Sequence, residues 1–208
     1  FHIPANFKMP YCARSVTEFW RRWHITLGEW FRDYVYIPLG GSRYRKSKTV
    51  MNLLIVWLLT GIWHGEGWNF ILWGLFFFFL LTIEKLFLFR HLSQHPVIGH
   101  LYMMIVIPCS WIIFVIDDIK QIGIYFGRLF PFFGHGTGYG NVWDFVTLLS
   151  TYGLFFLIGI VFIIGERYFW MGIRKMPVTA RAVTVMLFAL CIWKIQGSAE
   201  NPFLYFRF

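Results

Sequence analysis

Apolar residues in this chain come in blocks, separated by short charged or glycine-bearing stretches. Five blocks stand out: Thr49 to Ile62, Phe70 to Ile83, Leu101 to Ile116, Tyr152 to Gly165 and Ala182 to Ile195. The first has fourteen residues, about 21 Å of helix, which is short of a hydrocarbon core roughly 30 Å thick. The pattern therefore predicts spans that are tilted, re-entrant or broken. The chain would reach Trp63, His64, Gly65, Glu66 and Gly67 while still at membrane depth, and the second block would return toward Glu84, Lys85 and Arg90.

Ahead of these blocks, an extended lead bounded by Pro4 and Pro10 is followed by Ser15 and Glu18, spaced as a capping box that starts a helix at Val16. At about 100° per residue, Val16, Phe19, Trp20, Trp23, Leu27, Trp30, Phe31 and Tyr34 share an arc of about 120°. Glu18, Arg21, Arg22, Glu29, Arg32 and Asp33 fall opposite, with Ile25 as the apolar exception and His24 on the border. An aromatic face opposite a charged one predicts a helix lying at the membrane interface. Pro38, Gly40 and Gly41 end it, and Arg43, Arg45, Lys46 and Lys48 form a basic loop expected on the cytoplasmic side. Arg167, Arg174, Lys175 and Arg181 read as a second such loop.

Composition agrees with the blocks. The chain has 208 residues, 58% apolar and 22% aromatic but only 14% charged, more apolar surface than a soluble domain of this size could hide. The recurrence of the blocks argues against a single secretory signal. Cys12, Cys109 and Cys191 are far apart and read as buried apolar residues. Of the net charge of +9, most sits in residues 1 to 50, which carry nine Lys/Arg against three Asp/Glu. Beside apolar spans, such charge reads as a topology signal, and nucleic acid is not the expected partner. The chain opens on Phe1 without an initiator Met, so it is expected to be the C-terminal part of a longer protein.

His64 is the leading candidate for chemistry. An ionisable residue between two short apolar runs is costly unless partners or water attend it. Gly61, Gly65 and Gly67 let the helix break there, and Trp63, Glu66, Trp68 and Asn69 stand near it as support. A neutral imidazole, with an ordinary pKa of about 6.5, suits acyl transfer because it can take a hydroxyl proton and return it to the leaving atom. No Gly-x-Ser-x-Gly elbow, His-Glu-x-x-His or Cys-x-x-Cys pattern is present, which favours direct transfer and leaves no metal site in view. The Gly134 to Gly140 stretch, GHGTGYG, lacks the context of a phosphate loop and reads as a connection.

FWRRWHITLGEWFRDYVYIPLGGSR (Phe19 to Arg43) and LTGIWHGEGWNFILWGL (Leu59 to Leu75) resemble the hallmark segments of the membrane-bound O-acyltransferase family, in its alginate O-acetyltransferase-like branch. The terminal FLYFRF (Phe203 to Phe208) is similar to that branch's end. The resemblance implies an all-α integral membrane protein, a multi-pass bundle of short, re-entrant or broken helices around a tunnel. It implies His64 as the catalytic histidine and His24 as a second functional one. No tightly bound cofactor is expected; the donor would be an acyl thioester, acetyl-CoA or an acyl carrier, with Arg43, Arg45, Lys46 and Lys48 attracting its phosphates. Its implied surroundings are membrane lipid, an extracytoplasmic polysaccharide-modifying acyltransferase or esterase-like partner, a possible acyl carrier protein and the bacterial plasma membrane.

The domain reading is one family domain over 1–208: interfacial helix and basic loop over 1–48, the catalytic-histidine helix pair over 49–90, and further transmembrane helices over 91–208. D-alanyl transfer toward teichoic acid is the nearest alternative. A transporter relaying protons through His24, His64 and Glu66, or a purely structural membrane subunit, would be a different class.

Overall fold

A computed structural model describes residues 4–130, 142–175 and 177–196, and among these all regular structure is helical. The stretch at 134–140 and the terminal 203–208 lie outside the described residues. The helices are α1 (Val16–Trp20), α2 (Ile25–Phe31), α3 (Lys46–His64), α4 (Trp68–Ile83), α5 (Phe89–Gln94), α6 (Pro96–Val115), α7 (Ile119–Leu129), α8 (Val142–Lys175) and α9 (Pro177–Gln196). The chain divides into two compact units, Phe1–Tyr152 and Gly153–Phe208.

The first unit is built on a hairpin of α3 and α4. Its crossing is close because Gly61 and Gly74 carry no side chain: a Cβ on Gly61 would stand 2.6 Å from the Phe70 carbonyl oxygen, and one on Gly74 would stand 2.4 Å from that of Trp57. Small residues at such a crossing let apolar helices approach backbone to backbone. The hairpin turns at Gly65, whose φ of 156° and ψ of 178° belong to glycine alone. α4 runs without interruption through a π turn (Glu84–Leu88) into α5, giving a 27-residue apolar span, Trp68–Gln94, beside a second of 20 residues, Pro96–Val115. Phe79, Phe87, Val97 and Met104 are exposed on these spans, as suits a protein whose solvent is lipid.

The helices are longer than the apolar blocks that announce them. α3 has 19 residues against the fourteen of its block, and α8 has 34. Helix extends past the apolar stretches, so the second and third spans are corrected upward to Trp68–Gln94 and Pro96–Val115, whereas the apolar parts of α8 and α9, Phe145–Val161 and Arg181–Trp193, stay short. For the same reason Arg167, Arg174 and Lys175 belong to α8, and Arg181 to α9, rather than to a basic loop.

The interfacial helix needs a second correction. It starts at Val16 as anticipated, with the Ser15 hydroxyl accepting from Glu18 N at 3.0 Å, although the Glu18 carboxylate turns to Arg14 N and not to the cap residue. It then stops after Trp20, and α2 begins only at Ile25. The aromatic face is consequently split. Phe19 and Trp20 belong to the core of the first unit, with Trp20 edge-on to Trp57 at 4.9 Å and to Phe77 at 4.9 Å, whereas Trp30 and Tyr34 are exposed.

Candidate active site

The break between α1 and α2 falls on His24, which adopts left-handed backbone (φ 50°, ψ 48°). Histidine tolerates that region better than most residues but still needs support from its surroundings. The support comes from the preceding chain, laid alongside the break. Lys8 N donates to Arg22 O at 2.8 Å, Ile25 N to Asn6 O at 2.9 Å, and Thr26 N to Asn6 Oδ1 at 3.1 Å. The first donors of α2, which the helix itself cannot satisfy, are thereby occupied.

His64 is the last residue of α3, and the glycine turn beginning at Gly65 leaves it at the rim of the hairpin. Four aromatic rings surround it: Trp63 at 4.9 Å, Trp73 at 4.8 Å, Phe114 at 5.0 Å and Phe70 at 6.2 Å between centroids. Asn69, fully buried, fixes part of this cage by donating from Nδ2 to the Phe114 carbonyl at 2.8 Å, so the start of α4 is tied to the end of α6. Trp63 also lies 6.0 Å from His24, edge to face, and the two histidines are near enough for the charge of one to be felt at the other. The fold therefore brings His24, Trp63, His64 and Asn69 together. Glu66, in the turn, and Trp68, the first residue of α4, are both exposed, Trp68 by 71%.

A cleft of about 560 Å³ opens between α2 and α3. Leu53, Val56, Trp57 and Thr60 line it on successive turns of α3, and His64 continues that helical stripe one turn further. His24, Gly28, Phe31, Arg32 and Tyr36 line the opposite wall. Burial lowers the affinity of the His24 imidazole for a proton, favouring its neutral form. Among the described residues, the indole N–H groups of Trp20 and Trp73 and the side-chain oxygen of Asn69 are buried without a hydrogen-bond partner. Such atoms are available to water or a bound group.

At the other end of α3, Arg43, Arg45, Lys46 and Lys48 are exposed, with Lys48 Nζ 4.0 Å over the Tyr44 ring. Asn52 shapes this end by donating to the carbonyls of Leu39 (3.2 Å) and Gly41 (3.0 Å). Lys85, read from the sequence only as a flank of the second block, joins the cluster and donates to Tyr36 Oη at 3.1 Å and Ser42 Oγ at 2.7 Å. Its presence depends on how α4 packs beside α3, which local sequence does not show.

Residues 3–121 match the model of MBOAT, the membrane-bound O-acyltransferase family. The chain belongs to that family. It is 32% identical over its whole length to a probable alginate O-acetylase AlgI of Pseudomonas putida, covering 47% of that protein. It is 38% identical over 57% of its length to a peptidoglycan O-acetyltransferase of Helicobacter pylori, covering 23% of that relative. A teichoic acid D-alanyltransferase of Bacillus subtilis is 31% identical over 40% of the chain, with 23% of the relative covered. The chain spans about half the length of the alginate O-acetylases that it matches from end to end. The family match includes both histidines, their ring cage and the basic cluster.

Proposed function

We propose that this chain carries the transfer centre of a membrane O-acyltransferase, which moves an acyl group, acetyl in the main reading, from a cytoplasmic thioester to hydroxyls of an exported polysaccharide. The observation that carries the reading is the cleft between α2 and α3. It has His24 in its wall and is lined by α3 from Leu53 to Thr60, one turn short of His64 at the end of that helix and two turns beyond the basic cluster at its start.

In the reaction the acceptor hydroxyl oxygen attacks the thioester carbon while His64 takes the hydroxyl proton. The tetrahedral intermediate collapses, the carbon–sulfur bond breaks, and the thiolate leaves with the proton returned by His64. The ring cage keeps bulk water from the histidine, which limits hydrolysis of the donor. Lys46 and Lys48 lie in the first turn of α3, where the helix dipole is already positive. An anion relieves that repulsion, so coenzyme A or a phosphopantetheine carrier suits the site. The cleft would form one wall of a tunnel through a multi-pass bundle in the bacterial plasma membrane. An extracytoplasmic acyltransferase or esterase-like protein would receive the product.

The test uses the full-length protein in lipid nanodiscs with radiolabelled thioesters and the acceptor polymer. Acetyl transfer from acetyl-CoA or an acetylated carrier supports the main reading. Transfer from a D-alanylated carrier alone selects the teichoic acid alternative, and no transfer from any thioester by folded protein overturns the proposal.

A further inference from the structure

Asn6 meets the break at His24 through both its backbone and its side chain. Its carbonyl accepts from Ile25 N at 2.9 Å, while Oδ1 accepts from Thr26 N at 3.1 Å and from Thr26 Oγ1 at 2.9 Å. On the other branch of the amide, Nδ2 stands 3.5 Å from His24 Nδ1. The Thr26 backbone N–H settles which branch is which. Only the amide oxygen accepts, so a flipped amide would set its NH2 group against that donor.

His24 Nδ1 therefore faces a group with protons and no lone pair to offer. A proton on Nδ1, in the neutral Nδ1–H tautomer or in the imidazolium, would bring two donors together. The Nε2–H tautomer presents a lone pair to Asn6 instead. At 3.5 Å the contact is at the long end of hydrogen bonding, but the selection works through repulsion in the wrong states as well as through attraction in the right one. Among the described residues, the other titratable groups around His24 are His64, on α3, and Arg21, Glu29, Arg32 and Tyr36, which line the same cleft. Burial acts in the same direction, against the imidazolium.

We infer that Asn6 is a positioning residue for His24: it stabilises the left-handed backbone there and fixes the neutral imidazole as the Nε2–H tautomer. The two histidines then have different work. His64 takes the hydroxyl proton, and His24 offers Nε2–H to the thioester carbonyl oxygen as that oxygen gains charge during attack. This division of roles rests on the acyl-transfer reading, whereas the tautomer itself does not.

The experiment is nitrogen NMR on the full-length protein in nanodiscs, labelled with ¹⁵N-histidine, with the His24 signals assigned by their loss in His24→Gln. The parent is expected to show the Nε2–H pattern, and this measurement needs no variant of Asn6. Asn6→Asp keeps an oxygen for Thr26 but turns the donor facing Nδ1 into a carboxylate oxygen. It should move the proton to Nδ1, raise the His24 titration midpoint by about one pH unit or more, and lower kcat at least tenfold with donor KM and melting temperature near parental. An Nδ1–H tautomer in the parent, or an Asn6→Asp protein with unchanged His24 signals, overturns the inference even if the enzyme is active. The expected signals in a folded parent that transfers no acyl group would sink the acyl-transfer reading and leave the positioning role standing.

Discussion

Glu84 caps α1 from across the fold: its carboxylate accepts from Thr17 N at 2.9 Å and Thr17 Oγ1 at 2.7 Å, and from the neighbouring Val16 N at 2.6 Å. The residue has no solvent exposure and sits at the π turn within the long Trp68–Gln94 span. Its burial is tolerated because three donors converge on its oxygens. In return it fastens α1, and hence the approach to His24, to the end of α4.

Glu84→Ala should therefore lower stability by about 2–4 kcal/mol, since it strands two backbone N–H groups and a hydroxyl away from water. Glu84→Gln, which keeps one accepting oxygen, should cost less. Thermal unfolding of the full-length protein in detergent reads the difference; equal melting temperatures for parent and Glu84→Ala would show that the cap contributes little.

The hairpin crossing makes a second prediction. Alanine at Gly61 or Gly74 would press a methyl group on backbone of the opposing helix, and backbone gives way less readily than a side-chain tip. Each substitution should destabilise by about 1–3 kcal/mol and lower activity through displacement of His64. Gly123→Ala on α7, where a Cβ meets nothing within 4 Å, is the control and should behave as the parent. Indistinguishable melting curves for all three would mean that the crossing can relax.

Much of this architecture is legible from local chemistry. Ser15 marks the start of α1 by accepting from Glu18 N, and the glycines around His64 mark the hairpin turn. What is not legible depends on partners distant in sequence. The α1–α2 break cannot be seen in the helical periodicity of Val16 to Tyr34, because it is enforced by Asn6, eighteen residues from His24. Glu84 and Lys85 look alike as the charged flank of an apolar block. Packing buries one under α1 and directs the other to Tyr36 and Ser42.

Donor attraction by the basic cluster predicts a kinetic split. Neutralising Arg43, Arg45, Lys46 and Lys48 together should raise the donor KM more than it lowers kcat, and added salt should raise the parental KM in the same direction. Steady-state kinetics at two ionic strengths decide the matter. A KM indifferent to both treatments would leave those residues with a topological role only.

The same cluster predicts orientation. A cysteine at Ser42, beside Arg43, should resist a membrane-impermeant thiol reagent in intact cells and react once the membrane is permeabilised. Ready labelling in intact cells would reverse the sidedness of the donor site.

The most direct test of the account is the turnover of His64→Gln in the full-length protein. Glutamine retains hydrogen bonding at the rim of the hairpin but cannot accept the hydroxyl proton, and general base assistance is typically worth about 10² to 10⁴ in rate. The account predicts that kcat falls by at least about a hundredfold, with melting temperature and donor KM close to parental. A folded His64→Gln protein turning over near the parental rate would contradict it and move the proton acceptor elsewhere.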